Sequence, residues 1–197
     1  MTIWKVGNRI CSKFSTKAVW ENIRRARPPV YWARFIWNQA VIPKHRITSW
    51  LFMLNRNPTM DRLVSWGIDL ENCCLLCGNS PESRDHLFFL CPYSVRAWEN
   101  AIGVLGFINP PIQWELVLYW LSSVSTNPAQ LAAILQLWHG SIYVIWQERN
   151  ARYHNGVTKP HFMLSREVIK LAKDKSMAMC SCGSDFASSL VALWSSV

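Results

Sequence analysis

The chain has 197 residues, half of them hydrophobic, with seven cysteines, twelve tryptophans and a formal net charge of +9. That length and composition suit one folded domain with an appendage and a full hydrophobic core, and exclude a disordered polyelectrolyte. An odd number of cysteines, four of them crowded between Cys73 and Cys91, argues against a disulfide framework and for a reducing intracellular compartment, nuclear or cytoplasmic. Met1-Thr-Ile-Trp-Lys lacks the apolar run of a secretory signal.

The charge is unevenly spread. Residues 1–60 carry eleven Lys/Arg and one acid for +10, residues 61–125 carry −4, and residues 126–197 carry +3. Phosphate contacts, if the protein makes them, are therefore expected from the N-terminal third.

Thr2–Cys11 is weakly patterned, a strand or a loose lead. Ser15 is a candidate N-cap for a helix from Thr16 to about Arg25, with Ala18, Val19, Trp20 and Ile23 as its apolar side. Pro28-Pro29 stop it. A second helix is expected over 30–39. Pro43 breaks the pattern, and a third helix runs from Lys44 to about Leu54 with Ile47, Trp50, Leu51 and Leu54 at three-four spacing. Thr59 caps a short helix ending at Trp66-Gly67.

The stretch from Cys74 to Pro92 reads C-x2-C-x8-H-x4-C. Cys74 and Cys77 flank a tight turn, Gly78 eases the reversal, and Asn79-Ser80-Pro81 is turn chemistry. His86 and Cys91 return from the next element. Three thiolates and one imidazole suit tetrahedral zinc with every position filled by protein, a structural site. Cys73 competes with Cys74 for the first position, and the two-residue spacing favours Cys74. The plain alternative is four ordinary buried residues. The element from His86 to about Gly103 reads as a helix interrupted at Pro92; five residues apart, His86 and Cys91 do not share an ideal helical face.

Pro110-Pro111 marks the clearest internal boundary. Ile112–Leu121 reads as a buried helix. Asn127 as cap and Pro128 at the first position open the longest helix, which runs to about His154 before Gly156. Its apolar run is interrupted by Gln130, Gln136, His139, Gly140 and Ser141, so it is not a membrane span. Lys159–Met179 reads as a surface helix with basic residues along one side. Cys180-x-Cys182 lacks partners for a second metal pair. Residues 180–197 read as a frayed, disordered tail. The recurring tryptophans are expected as large anchors between helices.

Several of these residues fall in a known order. Cys74-x2-Cys77, Glu82 and Asp85 ahead of His86-Leu87-Phe88, then Cys91-Pro92 and Trp98, resemble the zinc-binding domain of plant reverse-transcriptase-like proteins of LINE-type (non-LTR) retrotransposons. Phe14-Ser15-Thr16-Lys17-Ala18 resembles the family's entry motif. Trp32, Ile36-Trp37, Pro43-Lys44, Trp50, Thr59-x-Asp61-Arg62-Leu63 and Gly67-Ile68 follow, and Ile145-Trp146-x-Glu148-Arg149-Asn150 resembles the helix after the zinc domain. The resemblance implies a module from a retroelement polyprotein that helps a polymerase hold RNA or DNA.

No paired aspartates for two-metal chemistry and no recognised nucleotide-binding or hydrolase motif occur, so the chain reads as non-enzymatic. His45, His139 and His154 each sit alone. The expected architecture is mainly α: a zinc-stapled domain over 10–108, a helical extension over 109–179 and the tail. Zinc is held by Cys74, Cys77, His86 and Cys91. RNA or DNA is met by Lys17, Arg24, Arg25, Arg27, Arg34, Lys44, Arg46 and Arg56, with Tyr31, Trp32 and Trp37 as neighbouring rings. Other parts of a reverse transcriptase polyprotein are expected partners. The alternatives are a protein-interaction module without a nucleic-acid role, and a decaying retroelement fragment.

Overall fold

The structure is a computed structural model that describes residues 4–7, 9–24, 28 and 30–197, with only the backbone at 9 and 11. The described chain is mainly helical and divides into two compact units, residues 1–33 and 34–197. The boundary expected near 108 does not separate units: helices on both sides of it pack into the second unit.

In the first unit, strands β1 (Trp4–Val6) and β2 (Arg9–Cys11) pair antiparallel, with Val6 opposite Arg9. Ser15 caps α1 (Thr16–Ile23) as expected: its hydroxyl accepts the Ala18 amide at 3.2 Å. The apolar side of α1 is not core. None of its residues is buried, and Trp20 and Ile23 stand in solvent.

The second unit starts with a single turn, α2 (Ala33–Ile36), much shorter than the helix expected over 30–39. Asn38 ends it: its side-chain oxygen accepts the Ala40 amide at 2.9 Å, diverting the backbone into a turn. Pro43 ends the preceding segment as expected and itself opens α3 (Pro43–Met53), at the position where its missing N–H is harmless. α4 (Met60–Ser65) follows Thr59, whose hydroxyl bonds Asp61 rather than a helix amide. A π-helical turn (His86–Leu90) leads into α5 (Pro92–Gly103), then α6 (Trp114–Leu121), α7 (Pro128–Asn155), α8 (His161–Cys180) and α9 (Asp185–Ser195).

Helix α7 is the axis, with α3, α5, α8 and α9 packed on it. Every residue from Ala132 to Ile142 is buried, so its middle has no solvent face. Its end turns polar with Glu148, Arg149 and Arg152, so it is not apolar throughout. At Gly140 α8 comes close: a Cβ there would lie 2.9 Å from Val168 Cγ1. No helix among the described residues is long and apolar enough to cross a membrane.

The tail expected to fray is instead α9. Ser184 caps it, and Ala187, Leu190 and Trp194, at helical spacing, are buried. The reason is a polar partner deep in α7. Gln136 accepts the Trp194 indole N–H at 3.1 Å and donates to Ala40 O at 2.9 Å and Ser176 Oγ at 3.0 Å. One buried amide thus ties the loop before α3, helix α8 and helix α9 to the axis, with its donors and acceptor satisfied.

One turn further on, the buried His139 imidazole meets Phe35 O at 3.1 Å and Ser49 Oγ at 2.7 Å. A carbonyl only accepts, so Nε2 carries the hydrogen and Nδ1 accepts from the serine. Burial pushes the pKa of His139 down to about 3. Burial, then the Lys44 charge, lowers that of His45 to about 4; its ring stacks on Tyr143 with centroids 4.3 Å apart. Both are neutral when folded and take up protons on unfolding below about pH 6.5, so their stabilisation is full above that pH and is lost as pH falls towards 4. Each histidine steepens the loss by up to about 1.4 kcal/mol per pH unit in that window. His45→Phe keeps the stack and removes one titrating group. Urea midpoints between pH 7 and 5 should therefore fall less steeply in this variant than in the parent, and parallel slopes would exclude the assignment.

Candidate metal centre

Four donor atoms converge: those of Cys74, Cys77, His86 and Cys91 all lie within 4.8 Å of one another. Cys74 Sγ is 3.9 Å from Cys91 Sγ, and Cys77 Sγ is 3.4 Å from His86 Nε2. A tetrahedral zinc with bonds of about 2.3 Å to sulfur and about 2.0 Å to nitrogen requires edges of about 3.8 Å and about 3.5 Å. These two edges match those lengths, and all four donors lie close enough together to hold one ion. Cys73 is not among the four, so the register starts at Cys74. Among the described residues no second such cluster forms, and Cys180 meets only Ser188.

Local backbone chemistry builds the cluster. Gly78, at φ +69°, closes the turn after Cys77 and donates its amide to Cys74 O at 2.8 Å. The Cys74 amide donates to Ser80 O at 2.8 Å, folding the loop back on itself. The five-residue gap from His86 to Cys91 is solved by the π turn. Its hydrogen bond runs five residues back, from the Cys91 amide to His86 O at 2.7 Å, so both ligands are the ends of one closed turn. Pro92 then holds Cys91 extended (ψ 124°) and starts α5.

The surroundings push the Cys74 and Cys91 thiols in opposite directions. The Cys74 thiol and then the amides of Ser94 and Tyr93, at the N-terminus of α5, hold the Cys91 thiol below its ordinary range. The same contact and burial push Cys74 up. Cysteine binds a metal as thiolate, so a cation held here would displace the thiol protons. Four protein donors, with Cys74 and Cys91 fully buried and Cys77 and His86 half-buried, make up the set that structural zinc sites use.

A second layer fastens the site to α7. Glu82, fully buried between the two ligand pairs, makes an ion pair with buried Arg149, Nη2 to Oε1 at 2.9 Å and Nε to Oε2 at 3.2 Å. Glu82 Oε1 also accepts the Met60 amide at 2.9 Å. Arg152 donates to Leu75 O at 3.0 Å and Leu76 O at 3.1 Å, inside the Cys74–Cys77 turn, and is held by Glu148 at 2.8 Å. Residue spacing alone does not pair Glu82 with Arg149; the sequence signal for them is their place in the two stretches that carry the family resemblance.

The residues expected to meet nucleic acid are dispersed. Lys17 and Arg24 are exposed on the first unit. Arg34, Lys44 and Arg56 are exposed on the second, and Arg46 is half-buried with Nη1 3.5 Å from Asn38 O. Arg25 and Arg27 lie outside the described residues. The tryptophans split by position: Trp98, Trp114, Trp138 and Trp194 are core anchors, whereas Trp4, Trp20, Trp37 and Trp66 are exposed.

No curated protein and no solved structure matches the chain. Residues 14–98 match a family model described as zinc-binding in reverse transcriptase. All four donors fall inside the matched segment, whose likeness is to a reverse-transcriptase zinc-binding domain.

Proposed function

We propose that this chain is a non-catalytic module, stapled by one zinc ion, from a plant LINE-type retrotransposon polyprotein, and that it helps a reverse transcriptase hold RNA or DNA inside the cell. The convergence of three cysteines and one histidine within the family-matched segment carries this reading. The zinc organises the scaffold and stays off the polyanion, because the charge of residues 61–125 is −4 and the basic surplus belongs to residues 1–60. The remainder of the polyprotein is a second partner.

The test is binding of labelled RNA and DNA by the zinc-loaded chain at rising salt. Affinity should fall log-linearly with salt, with a slope of about 0.7 per phosphate contact on single strands. Replacing Lys17, Arg24, Arg34 and Arg56 together by Glu should abolish binding while zinc content and helicity stay unchanged, since all four are exposed. No binding at low salt by the folded protein refutes the reading. Magnesium-dependent nucleotide incorporation by the pure chain refutes its non-catalytic part.

A protein-interaction role is the second reading, and one observation favours it. Ile108, Leu116 and Tyr119 are 87%, 51% and 75% exposed around α6, where Glu115 is the one charge between 100 and 147.

A further inference from the structure

Helix α3 packs the opposite way round from its pattern. Its apolar stripe is Ile47, Trp50, Leu51 and Leu54, which three-four spacing places on one side. Yet the residues it buries are His45, Ser49 and Phe52, because Ser49 must reach His139 on α7. The stripe is only partly covered: Ile47 is 45% exposed, and Trp50, Leu51 and Leu54 are half-buried. Trp37 leans over this face, its ring centroid 6.0 Å from that of Trp50, and is itself 47% exposed.

The surroundings identify what this face accepts. Arg34, Lys44, Arg46 and Arg56 bracket it in sequence, and no acid occurs between Glu21 and Asp61. On α3, Lys44 and Arg46 project to either side of the stripe. Arg46 is half-buried at the edge of this face, its Nη1 donating to Asn38 O at 3.5 Å. Arg34 lies over the Phe35 ring at 4.7 Å and Lys44 over the Tyr143 ring at 4.8 Å. An exposed ring beside a second indole, in a stretch of sequence rich in cations and free of acids, matches a chain of π-faces on a phosphate backbone.

We propose that Trp37, backed by Trp50 and Ile47, is a stacking platform for unpaired bases of single-stranded RNA or DNA, with Arg34, Lys44 and Arg46 on the flanking phosphates. This rests on the nucleic-acid reading above and narrows it to single strands and to one face of the second unit. Duplex, whose bases are already stacked, gains nothing from the ring.

The test compares a labelled oligouridine or oligothymidine with a duplex of equal length on the zinc-loaded full chain. Trp37→Leu keeps an apolar side chain but loses the ring, and Trp37→Tyr restores a ring. Single-strand affinity should drop about 5- to 100-fold in Trp37→Leu, recover in Trp37→Tyr, and keep its salt slope, because no phosphate contact is removed. Duplex affinity should not change. Wild-type indole fluorescence should be quenched on binding, and less so in Trp37→Leu. Wild-type binding that Trp37→Leu leaves intact overturns the platform alone and assigns the stripe to a protein partner. Absence of wild-type binding overturns the nucleic-acid reading itself. Zinc content and circular dichroism of each variant confirm that the fold is kept, as expected for a half-exposed side chain.

Discussion

Replacing Cys77 by serine is expected to strip the protein of its metal and to unfold the segment from about Cys74 through the start of α5. Binding of structural zinc to zinc-finger peptides is worth about 10–16 kcal/mol, as much as the whole stability of an ordinary domain, about 5–15 kcal/mol. Here that energy holds elements that cannot close by themselves. The π turn between two ligands delivers Leu87, Phe88 and Phe89 into the core. Phe88 meets Phe52 edge-on with centroids 4.5 Å apart, and Phe89 meets Trp98 at 6.0 Å and Trp114 at 5.7 Å. A π turn is a rare, poorly stabilised conformation, and without an ion across its ends the ordinary helical hydrogen-bond register is favoured. That register rotates Cys91 away and displaces the phenylalanines. Purified wild-type chain should therefore contain one zinc per molecule in reducing buffer. Cys77→Ser should contain none and should lose near-ultraviolet signal from the buried tryptophans. A strong chelator should reproduce the loss in the wild type. Cys73→Ser, outside the cluster, should keep its metal. A native protein free of zinc, or a metal-replete Cys77→Ser, would exclude this account.

Local chemistry was legible in the sequence, and long-range placement was not. The ends of α7 show the first. Asn127 Oδ1 accepts the amides of Ala129 at 2.9 Å and Gln130 at 3.2 Å, Pro128 fills the first position, and Gly156 turns out at φ +64°. Each is a contact within a few residues, so residue type suffices to read it. The clustering of Cys74, Cys77, His86 and Cys91 was legible for the same reason, since spacing nearly defines the turn that brings them together. Helix α3 shows the limit. Its periodicity identifies an apolar side, but which side meets the core was decided by Ser49, 90 positions from His139. The tail shows it again: with low charge and no strong pattern it reads as frayed, and only Gln136, 58 positions from Trp194, supplies the buried partner that docks it. Among the tryptophans, type alone does not separate the core rings Trp98 and Trp138 from the exposed Trp37 and Trp66.

Loss of the Glu82–Arg149 pair should be the most costly change outside the ligands. Both side chains are almost wholly removed from water, at 0% and 3% exposure, and the pair joins positions 67 apart. Removing one partner of such a pair leaves an uncompensated buried charge and costs about 3–5 kcal/mol. For Glu82 the deficit is larger than the ion pair alone, because its carboxylate also takes the Met60 amide that opens α4. Arg149→Met should therefore destabilise by about 3–5 kcal/mol, and Glu82→Leu by at least as much. The double replacement should cost clearly less than the sum of the two, since it leaves no unpaired charge and substitutes apolar volume. Urea unfolding of zinc-saturated protein measures all three. The folded fraction of each variant should still hold one zinc, because neither side chain touches the ion, but zinc should be released at lower urea as the loop loses its anchor on α7. Additive losses in the double variant would place the two residues in separate roles. Single losses below about 1 kcal/mol, the range of exposed pairs, would mean that water reaches this pair in solution.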